Sequence, residues 1–342
     1  MNLIDARNRA AKKFDQAQNL MADREGVEQA TGTLVAQHKA SRFASLDQVA
    51  DLCCGIGGDA MELAQVTNVT AFDIDPTRVW MAQHNAQCNA REVDVTLSSA
   101  HDLLNKFSAW HIDPSRRIDG KRLWTYADLI PGDETIRDLS QQLPHAAIKL
   151  GPGINFEELP LIETDEVEII GDGRRLYEAT WWRGEIAHHP GQRTATNLTT
   201  GCSFSSQPRP PQQRSQPGVD EILIEADPAL ERAELVGCLP EQNSYCEIAP
   251  GLGLLTSNTA LDSPWLHCYH VVHLMPWRPR NVRLWLQKNQ QTVSAVRTRG
   301  KAVDPDKASA TLPMGDQNAI VLFVLRLGKK LVAVMTKPAI NL

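Results

Sequence analysis

The chain has 342 residues, 42% of them hydrophobic, and a formal net charge of −6, enough for two domains, or one large domain with an appendage, around a sizeable core. No apolar run approaches the roughly 18 residues of a membrane helix, and Met1 to Arg7 lacks the apolar stretch of a signal peptide. Seven cysteines without paired spacing argue against a disulfide framework and fit a reducing compartment, so the expectation is a cytoplasmic protein with no membrane contact.

Residues 1–43 are polar with apolar positions at helical spacing, among them Phe14, Ala17, Leu20 and Met21, then Val27, Ala30, Leu34 and Val35, which predicts an N-terminal segment of short helices. Residues 44–187 alternate. Strands are expected at 48–52, 69–72, 93–97, 110–112, 146–150, 167–170 and 177–182, with helices at 59–64 and 77–89. Seven strands with interleaved helices imply a doubly wound α/β sheet, with a ligand across the carboxyl ends of its first strands. Residues 188–218 break the rhythm and read as a polar, low-complexity loop. A connecting region, 219–290, resumes with a strand at 221–225 and a helix opened by Asp227-Pro228. The terminal module, 291–342, reads strand 292–299, helix 304 to about 312, and strands 319–327 and 331–336 about a turn at Gly328-Lys329-Lys330.

Charge is distributed unevenly. From Val271 to Leu342 there are twelve Lys/Arg against three Asp/Glu, a balance of +9 that leaves −15 for residues 1–270. A basic appendage on an acidic body is the footprint of a part that touches nucleic-acid phosphates, although a merely solvated face has the same composition.

The densest signal is Asp51-Leu52-Cys53-Cys54-Gly55-Ile56-Gly57-Gly58-Asp59, followed by Phe72-Asp73-Ile74-Asp75-Pro76. It reads as strand, glycine turn, helix and second strand, with a carboxylate, Asp73, 22 positions after Asp51. Gly55, Gly57 and Gly58 permit a sharp turn and a close ligand, and Asp73 is placed to accept both ribose hydroxyls. A dinucleotide site usually has G-x-G-x-x-G with pyrophosphate on the helix N-terminus. Here Asp59 at the helix start would repel pyrophosphate and accept hydrogen bonds from a cation, so S-adenosylmethionine fits better than NAD or FAD. Cys53 and Ile74 complete the expected cofactor wall, with Cys53 and Cys54 read as packing residues rather than nucleophiles. Asp102, in the turn after the third strand, is a candidate for the adenine amino group, with His101 as its competitor.

After the fourth strand comes Asp113-Pro114-Ser115-Arg116-Arg117. Many amino methyltransferases place N/D-P-P-Y/F/W here, the acid or amide oxygen and a proline carbonyl orienting the target amine. This chain keeps Asp113 and Pro114, the expected catalytic pair, but has Ser115 and Arg116 where the second proline and aromatic would be. Arg116 and Arg117 become candidate substrate contacts, to a base face or a phosphate. His267-Cys268-Tyr269-His270-Val271-Val272-His273 invites a metal reading, but strand alternation puts Cys268 and His270 on one face and His267 and His273 on the other, so no metal is expected.

These segments together resemble the bacterial class I S-adenosylmethionine-dependent methyltransferases with a C-terminal THUMP-like domain. The likeness runs through Val27-Glu28-Gln29-Ala30-Thr31, the Asp51 to Asp59 turn, Asp113 to Arg117, Lys149-Leu150-Gly151-Pro152-Gly153, Leu254 to Thr259, and Arg297-Thr298-Arg299-Gly300 before Val303-Asp304-Pro305. The resemblance implies a Rossmann-like seven-stranded sheet, short N-terminal helices and a small α+β THUMP-like module. It also implies methylation of a base nitrogen, such as guanine N2, in a structured RNA such as tRNA or rRNA. Two alternatives are a methyltransferase of a small molecule or protein, and a non-catalytic RNA-binding module that retains the cofactor fold.

Overall fold

The structure, a computed structural model, describes residues 3–99, 106–115, 125–316 and 319–339, with the backbone alone at 117–118 and 121–122. The chain forms two compact units, residues 1–205 and 206–342.

The first unit opens with helices α1 (Leu3–Ala10), α2 (Arg24–Gln29) and α3 (Thr33–Ala40). Asp23 caps α2 by accepting the Gly26 N–H at 2.7 Å. At the other end the Lys13 ammonium gathers the carbonyls of Val27, Glu28 and Ala30 at 2.8, 3.0 and 3.1 Å, satisfying acceptors that a helix terminus leaves orphaned. Ala6, Phe14, Leu20 and Val27 bury with Ile56, Met61 and Met81 in one apolar cluster. The fully buried Asn85 pins this segment, bonding both the N–H and the carbonyl of Met21 and the carbonyl of Ile56.

The alternation expected for residues 44–187 is present. In chain order it runs β1 (Gln48–Leu52), α4 (Gly58–Leu63), β2 (Asn68–Asp73), α5 (Pro76–Cys88), β3 (Val93–Leu97), β4 (Ala109–Ile112), the short β5 (Arg117–Ile118) and β6 (Lys121–Arg122), α6 (Asp133–Gln142), β7 (Ala146–Leu150), β8 (Glu166–Gly171) and β9 (Leu176–Arg183). The sheet order β8-β9-β7-β4-β1-β2-β3 is the expected seven-stranded Rossmann-like sheet, with β9 antiparallel to both neighbours. Every residue of β4, β7 and β8 is buried, because helices and loops cover both faces. The chain reverses its direction of winding between β1 and β4, where open α/β sheets bind ligands.

Two strands, β10 (Arg193–Asn197) and β11 (Cys202–Ser206), extend the β8 edge to nine strands. They correct the polar loop expected at 188–218. Thr194 and Thr196 are polar but buried, each giving its hydroxyl to a buried carboxylate, Glu166 and Glu168 respectively. Their far sides meet Ser205 and Ser203 at 2.8 and 2.9 Å. Polar composition here reflects paired burial, not solvation. The proline-rich stretch that follows is held by backbone bonds of Arg209 to Glu234 and Gly237, and of Gln212 to Glu247.

In the second unit the order is β12 (Ile222–Ala226), α7 (Pro228–Arg232), β13 (Cys246–Glu247), β14 (Leu255–Ser257), β15 (Leu266–Pro276), α8 (Pro279–Lys288), β16 (Thr292–Arg299), α9 (Pro305–Ser309), β17 (Ala319–Leu327) and β18 (Lys330–Pro338). They form one sheet, β13-β14-β12-β15-β18-β17-β16. The expected division at 290 is therefore replaced by a shared sheet. The eleven residues of β15 are the reason, pairing β12 through Leu266–His270 and β18 through Tyr269–Pro276. In β15, Cys268 is buried with its sulfur against the backbone of Leu261, His267 and His270 are exposed, and His273, beyond a bulge, stacks on Trp285 at 5.1 Å.

A buried ionic network joins the N-terminal segment to the first sheet. Arg42, in the turn after α3, bonds Glu166 at 2.7 and 3.0 Å and Glu168 at 3.0 Å. Glu168 also receives the Trp182 indole N–H at 2.9 Å and meets His38 at 2.7 Å. Burial alone would raise the Glu168 pKa, but the His38 bond and the Arg42 charge outweigh it and bring it down to about 2. The folded value lies below an unfolded value of about 4.3, so this stabilisation is complete above about pH 5 and is lost as pH falls toward 2. Glu168→Gln should therefore flatten the decline of Tm between pH 5 and 3, and Arg42→Met should cost about 3–5 kcal/mol at pH 7 by stranding two carboxylates. Thermal melts across that pH range test both, and a wild-type acid profile in the Glu168 variant would contradict the assignment.

Candidate functional site

Parallel register brings the carboxyl ends of β1, β2 and β4 side by side, with Asp51 facing Ala71 and His111, and Leu52 facing Phe72 and Ile112. Beyond β1 the chain must turn at once into α4. Cys53, Gly55 and Gly57 adopt positive φ of 57°, 57° and 86°, a region costly for any side chain and cheapest for glycine. Gly58 is required for another reason, since a Cβ there would lie 2.9 Å from the Thr31 carbonyl oxygen. The turn borders a cavity of about 690 Å³.

Sequence-predicted residues meet at this cavity. Asp73 closes β2, accepting the Gly55 N–H at 2.9 Å through Oδ2 and the Asp75 N–H at 3.0 Å through Oδ1. Its carboxylate is thereby held at the cavity wall, beside the 74%-exposed Ile74. Cys53 and Cys54 also line it, and burial pushes both thiols far up, which keeps them protonated and inert.

The two remaining carboxylates differ in how far they are already satisfied. Asp59 accepts from Lys39 at 2.8 Å and from the Thr31 hydroxyl at 2.5 Å. Burial disfavours its charge, but the Lys39 ammonium outweighs that and holds its pKa well below the usual carboxylate range. Asp59, which lines the cavity, thus already has a cation within the protein. Asp51 receives His111 Nδ1 on Oδ1 at 2.6 Å, while Oδ2 is buried and has no hydrogen-bond partner among the described residues. Burial raises the Asp51 pKa. An acceptor left in this state costs about 1–3 kcal/mol, and a ligand ammonium in the cavity would remove the cost. With the open face of Gly55, which has nothing within 4 Å of a Cβ, and the fixed Asp73, these residues fit S-adenosylmethionine and would hold its cationic and ribose parts.

Further along the cavity wall, Asp113 continues the β4–β1 pairing through its N–H to the Leu52 carbonyl at 3.2 Å. Pro114 follows, and Ser115 is fastened to Ile130 by a reciprocal backbone pair at 2.7 and 3.0 Å. Asp113 Oδ2 takes the Lys149 ammonium at 2.5 Å, and its Oδ1 has no protein partner among the described residues. Lys149 reaches Asp113 from the carboxyl end of β7 and also approaches the Gln29 carbonyl at 3.4 Å. The Glu28 to Thr31 segment is accordingly the near lip of the cavity, and Ile130, Pro131, Thr135 and Leu139 form another wall. Asp102 and Arg116 lie outside the described residues, as does the side chain of Arg117.

Lys149, His111 and Lys39 were not among the sequence-predicted site residues. The signal was a polar residue inside an otherwise apolar strand, Lys149 in Ala-Ala-Ile-Lys-Leu and His111 in Ala-Trp-His-Ile. Lys39 had none, since a lysine at the end of a short helix ordinarily faces water.

A model of the RNA cap guanine-N2 methyltransferase family matches residues 46–115. Two Mycobacterium tuberculosis proteins, from strains CDC 1551 / Oshkosh and ATCC 25618 / H37Rv, are each called an uncharacterized S-adenosylmethionine-dependent methyltransferase; both are 27% identical to this chain over 331 residues, 94% of it and 90% of each of them. The crystal structure of a Porphyromonas gingivalis W83 protein, provisionally named a methyltransferase, superposes with a TM-score of 0.81 at 18% identity, covering 98% of this chain and 89% of that one.

Calorimetric titration should show micromolar binding of S-adenosylhomocysteine and none of NAD. Asp73→Ala should weaken binding by roughly tenfold or more, the loss of a bidentate charge-assisted contact; equal affinity in variant and wild type would remove Asp73 from the cofactor wall.

Proposed function

We propose that this chain, a class I S-adenosylmethionine-dependent methyltransferase by its fold and relatives, methylates a base nitrogen of a structured RNA, tRNA or rRNA, with guanine N2 the foremost candidate. The observation that carries this reading is the Oδ1 of Asp113, without a partner among the described residues, on the wall of the cavity that Asp51 and Asp73 also line. The family model that reaches Asp113 describes guanine-N2 methylation.

When bound, the cofactor supplies a methyl group on a sulfonium. An exocyclic amine is a weak nucleophile because its lone pair is delocalised into the ring. In this reading Asp113 Oδ1 accepts one amine N–H, which turns the lone pair out of conjugation and toward the methyl carbon. Lys149 holds the other oxygen, so the carboxylate cannot rotate. The carbon–nitrogen bond forms as the carbon–sulfur bond breaks, and the surplus amine proton passes to Asp113 or to water. The Pro114 carbonyl follows as a second acceptor for the amine.

For RNA contact we assign the second unit, in the THUMP-like role that the sequence resemblance implies. Its arginines are not all available to a ligand. Arg297 and Arg299 are both ion-paired to Glu225 and hold the sheet together. Helix α8, by contrast, has no acidic residue, buries Val282 and Leu286, and exposes Arg278 just ahead of it with Arg280 and Lys288. Exposed cations at and ahead of this helix suit a phosphate backbone. Among the described residues no helix is long and apolar enough to cross a membrane, and a cytoplasmic location is part of the same proposal.

The test is transfer of labelled methyl to total RNA from cells lacking the gene. Asp113→Ala should lower transfer by roughly 10²-fold or more with S-adenosylhomocysteine affinity within threefold of wild type. Label appearing in the protein or small-molecule fraction instead would sink the RNA reading. Reversing charge at Arg278, Arg280 and Lys288 should weaken RNA binding and reduce its salt dependence by up to about three ions; an unchanged salt slope would move the contact surface elsewhere.

A further inference from the structure

The geometry points to His111 as a positioning residue that presents Asp51 to the ammonium of the cofactor's amino-acid moiety. This rests on the cofactor assignment and not on the identity of the methyl acceptor.

His111 and Asp51 are register partners on adjacent parallel strands, both 1% exposed. His111 is not part of the cavity wall, whereas Asp51 is. What the imidazole does is settled by the group behind it. The Lys39 ammonium has three N–H bonds, directed to Asp59 at 2.8 Å, Glu178 at 2.9 Å and His111 Nε2 at 3.2 Å. An ammonium can only donate. His111 therefore accepts at Nε2, its proton sits on Nδ1, and that proton is donated to Asp51 Oδ1 at 2.6 Å. A carboxylate held at one oxygen in a fixed ring plane cannot spin about its last torsion. Its other oxygen, Oδ2, is left buried and unpartnered.

Charge places the same demand on a ligand. Around His111 stand three carboxyl groups, Asp51, Asp59 and Glu178, and the ammonium bonded to the imidazole is that of Lys39. Because the imidazole sits between them, Lys39 makes no direct bond to Asp51, and its two ionic bonds go to the other two. A further donor for Asp51 would come from the cavity, on whose wall Asp51 lies and where its Oδ2 is buried with no partner among the described residues. A histidine thus serves here as a rigid spacer that both aims the carboxylate and keeps the internal cation from satisfying it.

Two ligands separate this role from general damage to the site. S-adenosylhomocysteine has the ammonium; 5′-methylthioadenosine has the same thioether nucleoside without the amino-acid part. Calorimetry with both should be run on wild type and on His111→Leu, His111→Asn and His111→Gln. Leu removes the donor, Asn offers an N–H near the Nδ1 position, and Gln offers one near Nε2, facing Lys39. His111→Leu and His111→Gln should lose roughly 10- to 100-fold in S-adenosylhomocysteine affinity, the range of a charge-assisted hydrogen bond, with 5′-methylthioadenosine affinity within about threefold. His111→Asn should recover most of the difference. Equal losses for both ligands, or Asn and Gln indistinguishable, would overturn the assignment, and the Asn–Gln comparison decides it even where Leu does not fold. Wild-type protein that binds neither ligand would take down the cofactor assignment itself, an outcome distinct from binding that ignores residue 111.

Discussion

Charge buried inside the first unit is the constraint on which the rest of the structure depends. Glu166, Glu168 and Glu178 stand in strands packed on both faces, where an unpaired carboxylate would cost several kcal/mol. Two cations answer them, Lys39 and Arg42, one turn apart at the end of α3. Helix α3 can sit in only one place on the sheet if both are to be paired. Once it is placed, Thr31 and the loop behind it are placed as well, since the Thr31 hydroxyl bonds Asp59 and its carbonyl lies against Gly58. The N-terminal helices are therefore part of the cavity rather than an extension beside it.

That network has a graded boundary with the cavity. Deep carboxylates such as Glu168 have all their partners within the protein. Asp59, nearer the surface, is satisfied by Lys39 and Thr31. Asp51 is satisfied on one oxygen only, and Asp113 likewise has one oxygen on a lysine and one without a partner among the described residues. These two acids on the cavity wall are the ones left with unmet hydrogen-bonding capacity there. A site built this way binds by completing a pattern that the protein has left incomplete, and it does so without moving the groups concerned.

The second unit shows that a surplus of basic residues has to be divided before it means anything. Half-buried Arg297 and Arg299 lie on a sheet face with Glu225, and Arg297 stacks over Tyr269 and Phe323 at 5.5 and 5.8 Å. Those guanidiniums are mortar. Helix α8 lacks acids and buries Val282 and Leu286, and its exposed Arg280 and Lys288 have no ion pair among the described residues. In the proposed reading these are the cations that meet phosphate.

Local pattern was enough for the seven strands of the first sheet, the glycine turn and the carboxylates at 51, 73 and 113, because apolar alternation, φ > 0 at glycine and acids at strand ends are properties of neighbouring residues. It was misleading at Thr194 and Thr196, whose polarity is satisfied by strand β8 some 28 residues away, and at the 290 boundary, which β15 crosses by pairing on both edges. What Lys149, Lys39 and His111 do was decided only in three dimensions. Each depends on partners 20 to 139 positions distant along the chain, and no periodicity records which buried charges a fold will bring within hydrogen-bonding reach. The sequence by itself determined the cofactor turn and the order of elements; the tertiary structure alone decided which carboxylate is left hungry for a cation, since that follows from how the others are paired.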